Sequence, residues 1–235
     1  MNTWRARASI TVSSPRRSLN LSAETFASGL TLYLVLLFSL SVHESAHAWT
    51  ALKEGDPTAQ SLGRISLNPL VHMDIVGTVV LPLLMIFSGS GFLFGWAKPC
   101  PVDPRRFRHL KRGQIVVSGA GPLSNLLLAI VFTVVLFVVV RVVQGPLPPA
   151  LVEGLALAIG LNVVLALFNL LPLPPLDGSH IVQWALPSGL GHRYIRAIAP
   201  YGGFILLGLL VTGVLSRLIG PVYGVVMRFL YSIAF

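Results

Sequence analysis

The chain is short of almost everything a secreted or soluble domain is built from. It has one cysteine, Cys100, in 235 residues, so no disulfide can close within it and no cysteine-based zinc knuckle can form. Between Pro99 and Pro101 that residue is expected to sit in a turn as a small apolar side chain. Acidic residues number 8, charged residues of both signs make up only 11%, and 54% of the chain is hydrophobic. A mean hydropathy of +0.79 completes a composition that excludes an ordinary soluble domain. No internal repeat or low-complexity tract is present. What remains is a multi-pass membrane protein too short to carry an appended soluble domain of normal size.

The formal charge of +9 raises the question of nucleic acid, and the placement of the basic residues answers it. Arg5, Arg7, Arg16 and Arg17 precede the first apolar run, while Lys98, Arg105, Arg106, Arg108, Lys111 and Arg112 crowd one loop between runs. Basic residues so placed mark cytoplasmic segments and anionic lipid surfaces. The expected partner is therefore the lipid bilayer, with no nucleic acid. Residues 1–25 read as a basic N-terminal extension and 26–235 as one domain. A cleavable leader is not expected, because cleavage after the first apolar run would remove the motif described below.

Apolar segments run from about Phe26 to Leu52, Ile75 to Phe94, Gln114 to Val143, Leu151 to Leu171 and Ala197 to Leu218, with a short one from Pro221 to Phe235. About 20 helical residues cross a bilayer, so the second and last are marginal. The fold expected is an all-α polytopic membrane protein, a compact bundle of about 5–6 membrane helical segments. Leu62 to Pro69 carries turn and β-branched residues, and a short β-hairpin fits it as well as an interfacial loop. As an extended segment, it could receive a substrate by strand addition.

The first run contains His43-Glu44-Ser45-Ala46-His47. Residues four apart share a helix face, so His43 and His47 can offer two imidazoles to one metal ion, and Glu44 can serve as general base on a water. From Phe26 to Trp49 these are the only His, Asp, Glu, Lys or Arg side chains, and charge within a bilayer is usually kept for function. A catalytic zinc needs a further protein ligand. Asp177 is the clear carboxylate in an apolar setting, in Asn169-Leu170-Leu171-Pro172-Leu173-Pro174-Pro175-Leu176-Asp177-Gly178, where the prolines must break the helix. Alone, Asp177 reads more readily as the cap of a following helix at a membrane exit.

The two motifs together strongly resemble the site-2 protease family, the intramembrane zinc metalloproteases of peptidase M50 type. Gly119-Ala120-Gly121-Pro122-Leu123-Ser124-Asn125 resembles the family's A-G-P-x-x-N element. Leu67-Asn68-Pro69 with Gly95-Trp96-Ala97-Lys98-Pro99 looks like its compact bacterial branch. The resemblance covers a core of about residues 39–187. It implies one zinc ion held by His43, His47 and Asp177, Glu44 as catalytic base, and Asn169 contacting the substrate or the developing oxyanion. It further implies a transmembrane protein substrate and an integral, multi-pass place in a bacterial plasma membrane. Ser45 departs from the bulkier residue often found after the Glu, which leaves the chemistry intact and alters packing. The competing class is a non-catalytic metal-binding protein or a metal transporter, which would string polar residues along several spans.

The ligand set constrains topology. Both half-sites lie at the C-terminal ends of their spans, and ligands at opposite faces of a ~30 Å core cannot share one ion, so the two spans must run parallel. An odd number of crossings must separate them, which makes Ile75 to Phe94 the candidate for a re-entrant segment. The basic loop from Lys98 to Arg112 then places both half-sites towards the cytoplasm, against the basic N-terminus, which this arrangement puts outside. His72, His109, His180 and His192 are expected to be interfacial or loop histidines; His180, three residues beyond Asp177, is the one that could also serve as an alternative partner of the metal site or of its ligands. Asn125 and Asn162 are expected to hydrogen-bond between helices.

Overall fold

The computed structural model describes residues 23–89, 93–143, 146–187 and 189–235, so most of the basic extension lies outside it. Among the described residues the chain is all-α, with α1 (Ala23–Glu54), α2 (Thr58–Ser61), α3 (Leu81–Phe87), α4 (Leu110–Val142), α5 (Pro149–Asn169), α6 (Asp177–Ala185), α7 (Leu190–Ile198), α8 (Gly202–Val211) and α9 (Val214–Ala234). Five stretches are long and apolar enough to cross a membrane: Phe26–Glu54, Leu110–Val142, Pro149–Asn169, Leu190–Val211 and Val214–Ala234.

Where apolar side chains point outwards, lipid must be the solvent. Leu34 and Phe38 on α1, Leu123, Leu127 and Val131 on α4, and Phe204 and Leu207 on α8 are all exposed. The interior holds both apolar and polar groups. Leu136 of α4, Ile159 and Val163 of α5 and Leu230 of α9 form one core cluster. Ser39, Asn125, Thr133 and Asn162 are buried beside it, where hydrocarbon could not have satisfied them. The protein is an integral, multi-pass membrane protein.

Ile75 begins a π-helix of six residues that continues as the seven residues of α3, with Pro82 in the first turn. At ~1.5 Å per residue the pair reaches about 20 Å, well short of a ~30 Å hydrocarbon core. α4 is thus the one long apolar helix between α1 and α5, and the parallel arrangement demanded by the proposed ligands follows. After α3 the chain returns as an irregular strap, residues 93–103, whose Ala97 packs on Leu36 and Leu40 of α1.

Two expectations are corrected. No strand occurs among the described residues, and Leu62–Asn68 forms turns, not a hairpin. The backbone groups that a ladder would have used are taken elsewhere: the Ser45 hydroxyl of α1 donates to the Ser66 carbonyl and accepts from its N–H at 3.1 Å. The C-terminal boundary also moves. The break falls at Thr212-Gly213, not near Leu218, because Gly213 adopts φ +71, the left-handed state that ends a helix. Pro221 lies inside α9, which is a 21-residue helix and not a marginal one.

Candidate metal centre

Helix α1 delivers His43 and His47 to one face, as their spacing requires, and their Nε2 atoms lie 3.1 Å apart. The prolines after Asn169 end α5, and the chain turns through Leu170–Leu176 before α6 begins at Asp177. That turn brings Asp177 Oδ2 to 3.2 Å from His43 Nε2 and 3.4 Å from His47 Nε2. Three donors about 2.0–2.2 Å from a tetrahedral zinc would be roughly 3.3–3.5 Å from one another, so the triangle is close to one face of such a tetrahedron. Among the described residues these three side chains form the one group of His, Cys, Asp and Glu compact enough to hold a metal ion.

The hydrogen bonds behind the rings decide which nitrogens face the centre. Asn162 donates to the Ala158 carbonyl at 2.9 Å, and a carbonyl can only accept. Its amide oxygen therefore accepts from Asn125 Nδ2 at 2.9 Å, which turns Asn125 Oδ1 to His43 Nδ1, 2.6 Å away. His43 must donate from Nδ1. His47 likewise donates from Nδ1 to the Val117 carbonyl at 2.7 Å. In neutral rings both Nε2 lone pairs then converge on a carboxylate oxygen that is buried and has no hydrogen-bond partner. Such an arrangement is repulsive unless a cation sits between the three atoms, and it fits zinc in donor type, number and spacing.

Close approach of α4 makes the arrangement possible. A Cβ on Gly121 would run into both imidazole rings. The next residue, the buried Pro122, has no N–H to give one turn back. The A-G-P-x-x-N element thus provides a glycine under the rings and, at Asn125, a partner for His43. The sequence marked Asn125 as an interhelical hydrogen bonder but gave no hint that the bond ends on a metal-ligand histidine.

Glu44, half-buried, accepts the Cys100 N–H at 2.8 Å on Oε2. Asn169 closes α5 and bonds back to the Leu165 carbonyl at 3.0 Å. His180 is exposed and stands apart from the three-residue group. His72 lies in a turn and is buried; its Nε2 donates to the Ser66 carbonyl at 2.7 Å, and burial, followed by nearby Arg64, lowers its pKa against the opposing effect of that bond. Burial, together with the Glu44 carboxylate, pushes the Cys100 thiol up to about 12, which makes it an unreactive neutral group at pH 7.

Comparison with known proteins agrees with this chemistry. Residues 140–211 match the model of peptidase family M50. The chain is 40% identical over 194 residues to "Putative zinc metalloprotease YwhC" of Bacillus subtilis (strain 168), covering 81% of this chain and 84% of that protein. It is 35% identical over 185 residues to "Putative zinc metalloprotease Rip2" of Mycolicibacterium smegmatis, covering 77% and 66% respectively. No solved structure matches the chain.

Proposed function

The chain belongs to the M50 peptidases, the site-2 protease family of zinc metalloproteases, and from that premise we propose that it cleaves peptide bonds in or beside the transmembrane segments of other membrane proteins. His43, His47 and Asp177 hold one zinc ion, and Glu44 is the general base. The observation that carries this reading is the convergence of two Nε2 atoms and the partnerless Asp177 Oδ2 within 3.1–3.4 Å.

Zinc held there supplies a Lewis acid that polarises the scissile carbonyl and makes water acidic enough to attack near neutral pH. Glu44 takes the proton of the attacking water and returns it to the leaving amine. Asn169 offers a side-chain N–H to the substrate carbonyl or oxyanion once it exchanges its bond to Leu165, which places this donor at the mouth of the Leu170–Leu176 turn. The same turn interrupts the apolar bundle and is the route by which water enters. A membrane-spanning helix hides its peptide bonds in its own hydrogen bonds, so the substrate is a single-span protein whose helix unwinds locally. The basic loop from Lys98 to Arg112 faces the cytoplasm, and bacterial relatives support the plasma membrane of a bacterial cell.

Glu44→Gln tests the assignment. Purified in detergent, it should keep one zinc per chain while cleavage of a single-span reporter falls by about 10²–10⁴-fold. Undiminished cleavage would overturn the role of Glu44, and loss of zinc would make it a ligand.

A further inference from the structure

Between α3 and α4 the strap is held with a regular alternation. The N–H of Trp96 donates to the Gly77 carbonyl at 3.1 Å and that of Lys98 to the His72 carbonyl at 2.8 Å. The next in the series, Cys100, donates to Glu44 Oε2 at 2.8 Å. In an extended chain alternate residues point the same way, so the position of Cys100 is set by its predecessors. Pro99 and Pro101, on the opposite phase, have no N–H to compete.

Arg64 grips the strap from behind. It is 6% exposed, and among the described residues no carboxylate lies within ion-pair distance of it. A buried guanidinium without a counter-ion is costly. Its Nη2 donates to the carbonyls of Lys98 and Pro99, the latter at 3.2 Å. The second of these carbonyls is in the same peptide group as the Cys100 N–H and the first is in the group before it, and charge-assisted bonds to them are stronger than the strap's neutral ones. Further along, the Asp103 N–H is held at 2.7 Å by Asp56, which is fully buried.

We propose that Arg64 is a positioning residue for the general base: by fixing the carbonyls of Lys98 and Pro99 it holds the Cys100 N–H on Glu44 and so sets the direction of the Glu44 carboxylate. This rests on the reading of Glu44 as base. The donor is a backbone group, so the side chain at position 100 is secondary, and the guanidinium holds the carbonyl of the same Pro99–Cys100 peptide group that carries this N–H. Arg64 itself touches no reacting atom.

The single cysteine makes the docking of the strap measurable without any proteolysis. Docked, the Cys100 thiol is half-buried with its pKa pushed up to about 12, and a released strap returns it to the ordinary thiol range. The test uses the full chain in detergent with zinc, maleimide labelling of Cys100, zinc content, and kcat and KM on a reporter whose ~20-residue leucine span is interrupted by Asn-Pro. Arg64→Gln should label about tenfold faster or more and lose about 10–100-fold in kcat, with KM within about twofold and one zinc per chain retained. Arg64→Lys should recover part of both losses, since it keeps a cation but not the fork. Cys100→Pro, which removes the N–H, should reproduce the loss in kcat, and Cys100→Val, which also lacks the thiol but keeps the N–H, should restore most of it.

Faster labelling with wild-type kcat would overturn the proposal, because the strap would then be dispensable to the base. A fall in kcat without faster labelling would overturn it too, since Arg64 would act by another route, and so would a loss expressed in KM or in zinc content. Should Arg64→Gln fail to fold, wild-type kcat in Cys100→Pro is the overturning result. The protease reading fails separately, when wild type and Glu44→Gln cleave the reporter equally.

Discussion

His43 and Glu44 are neighbours in the chain and are held by opposite parts of the molecule. His43 is fixed from inside the helical bundle, through Asn125 of α4 and Asn162 of α5 to the Ala158 carbonyl. Glu44 is fixed from outside it, by the N–H of a strap that has no regular secondary structure. In the proposed reading, metal geometry therefore depends on how transmembrane helices pack, and base geometry on how a loop folds back. The two can be damaged separately, and the kind of loss should reveal which side was touched.

The largest effect on the bundle side is expected from Gly121→Ala. The added methyl would overlap both imidazoles, whose positions are set from behind by hydrogen bonds. Zinc per chain, measured after dialysis, should fall from one towards zero and cleavage should vanish with it. Asn125→Leu comes next. It removes the acceptor that keeps the His43 proton on Nδ1 and should weaken zinc binding by about 10–100-fold in a chelator competition. Loss of kcat with unchanged zinc affinity in that variant would break the division drawn above. Asn162→Leu leaves Asn125 next to His43 but frees its amide to turn, and should cost less zinc affinity than Asn125→Leu while lowering the unfolding free energy by about 1–3 kcal/mol for the orphaned donor. Ser45→Ala is the mildest. It cuts the link from α1 to Ser66 at a cost of about 1 kcal/mol in thermal unfolding, with zinc content unchanged.

What could be read from the sequence follows the same division. His43 and His47 could be paired because a helix repeats every 3.6 residues, whereas Asp177 alone reads as a helix cap and joined them only when the two motifs were taken together. The need for parallel spans then exposed the short segment before α4. Asn125 was visible as a polar residue in an apolar helix, but its partner lies 82 residues away, a pairing that no local pattern encodes. The N–H of Cys100 left no trace at all, since every residue except proline carries one. Of the two readings open near Leu62, the hairpin failed and the loop stands for a related reason: Ser45, read only as a packing change, satisfies Ser66 in place of a strand. The misplaced C-terminal break shows a weaker breaker chosen over a stronger one, because Gly213 can enter the left-handed state whereas Pro221 is carried within α9.

The π-helix and α3 together are about 10 Å too short for the membrane they sit in. Lipid cannot leave that gap open, so on this flank the two leaflets must dimple towards each other or let headgroups and water fill the remainder. The work of that deformation grows with bilayer thickness and falls in short-chain lipid. Acyl length is therefore expected to change how this flank sits, which activity in bilayers of different chain length would read.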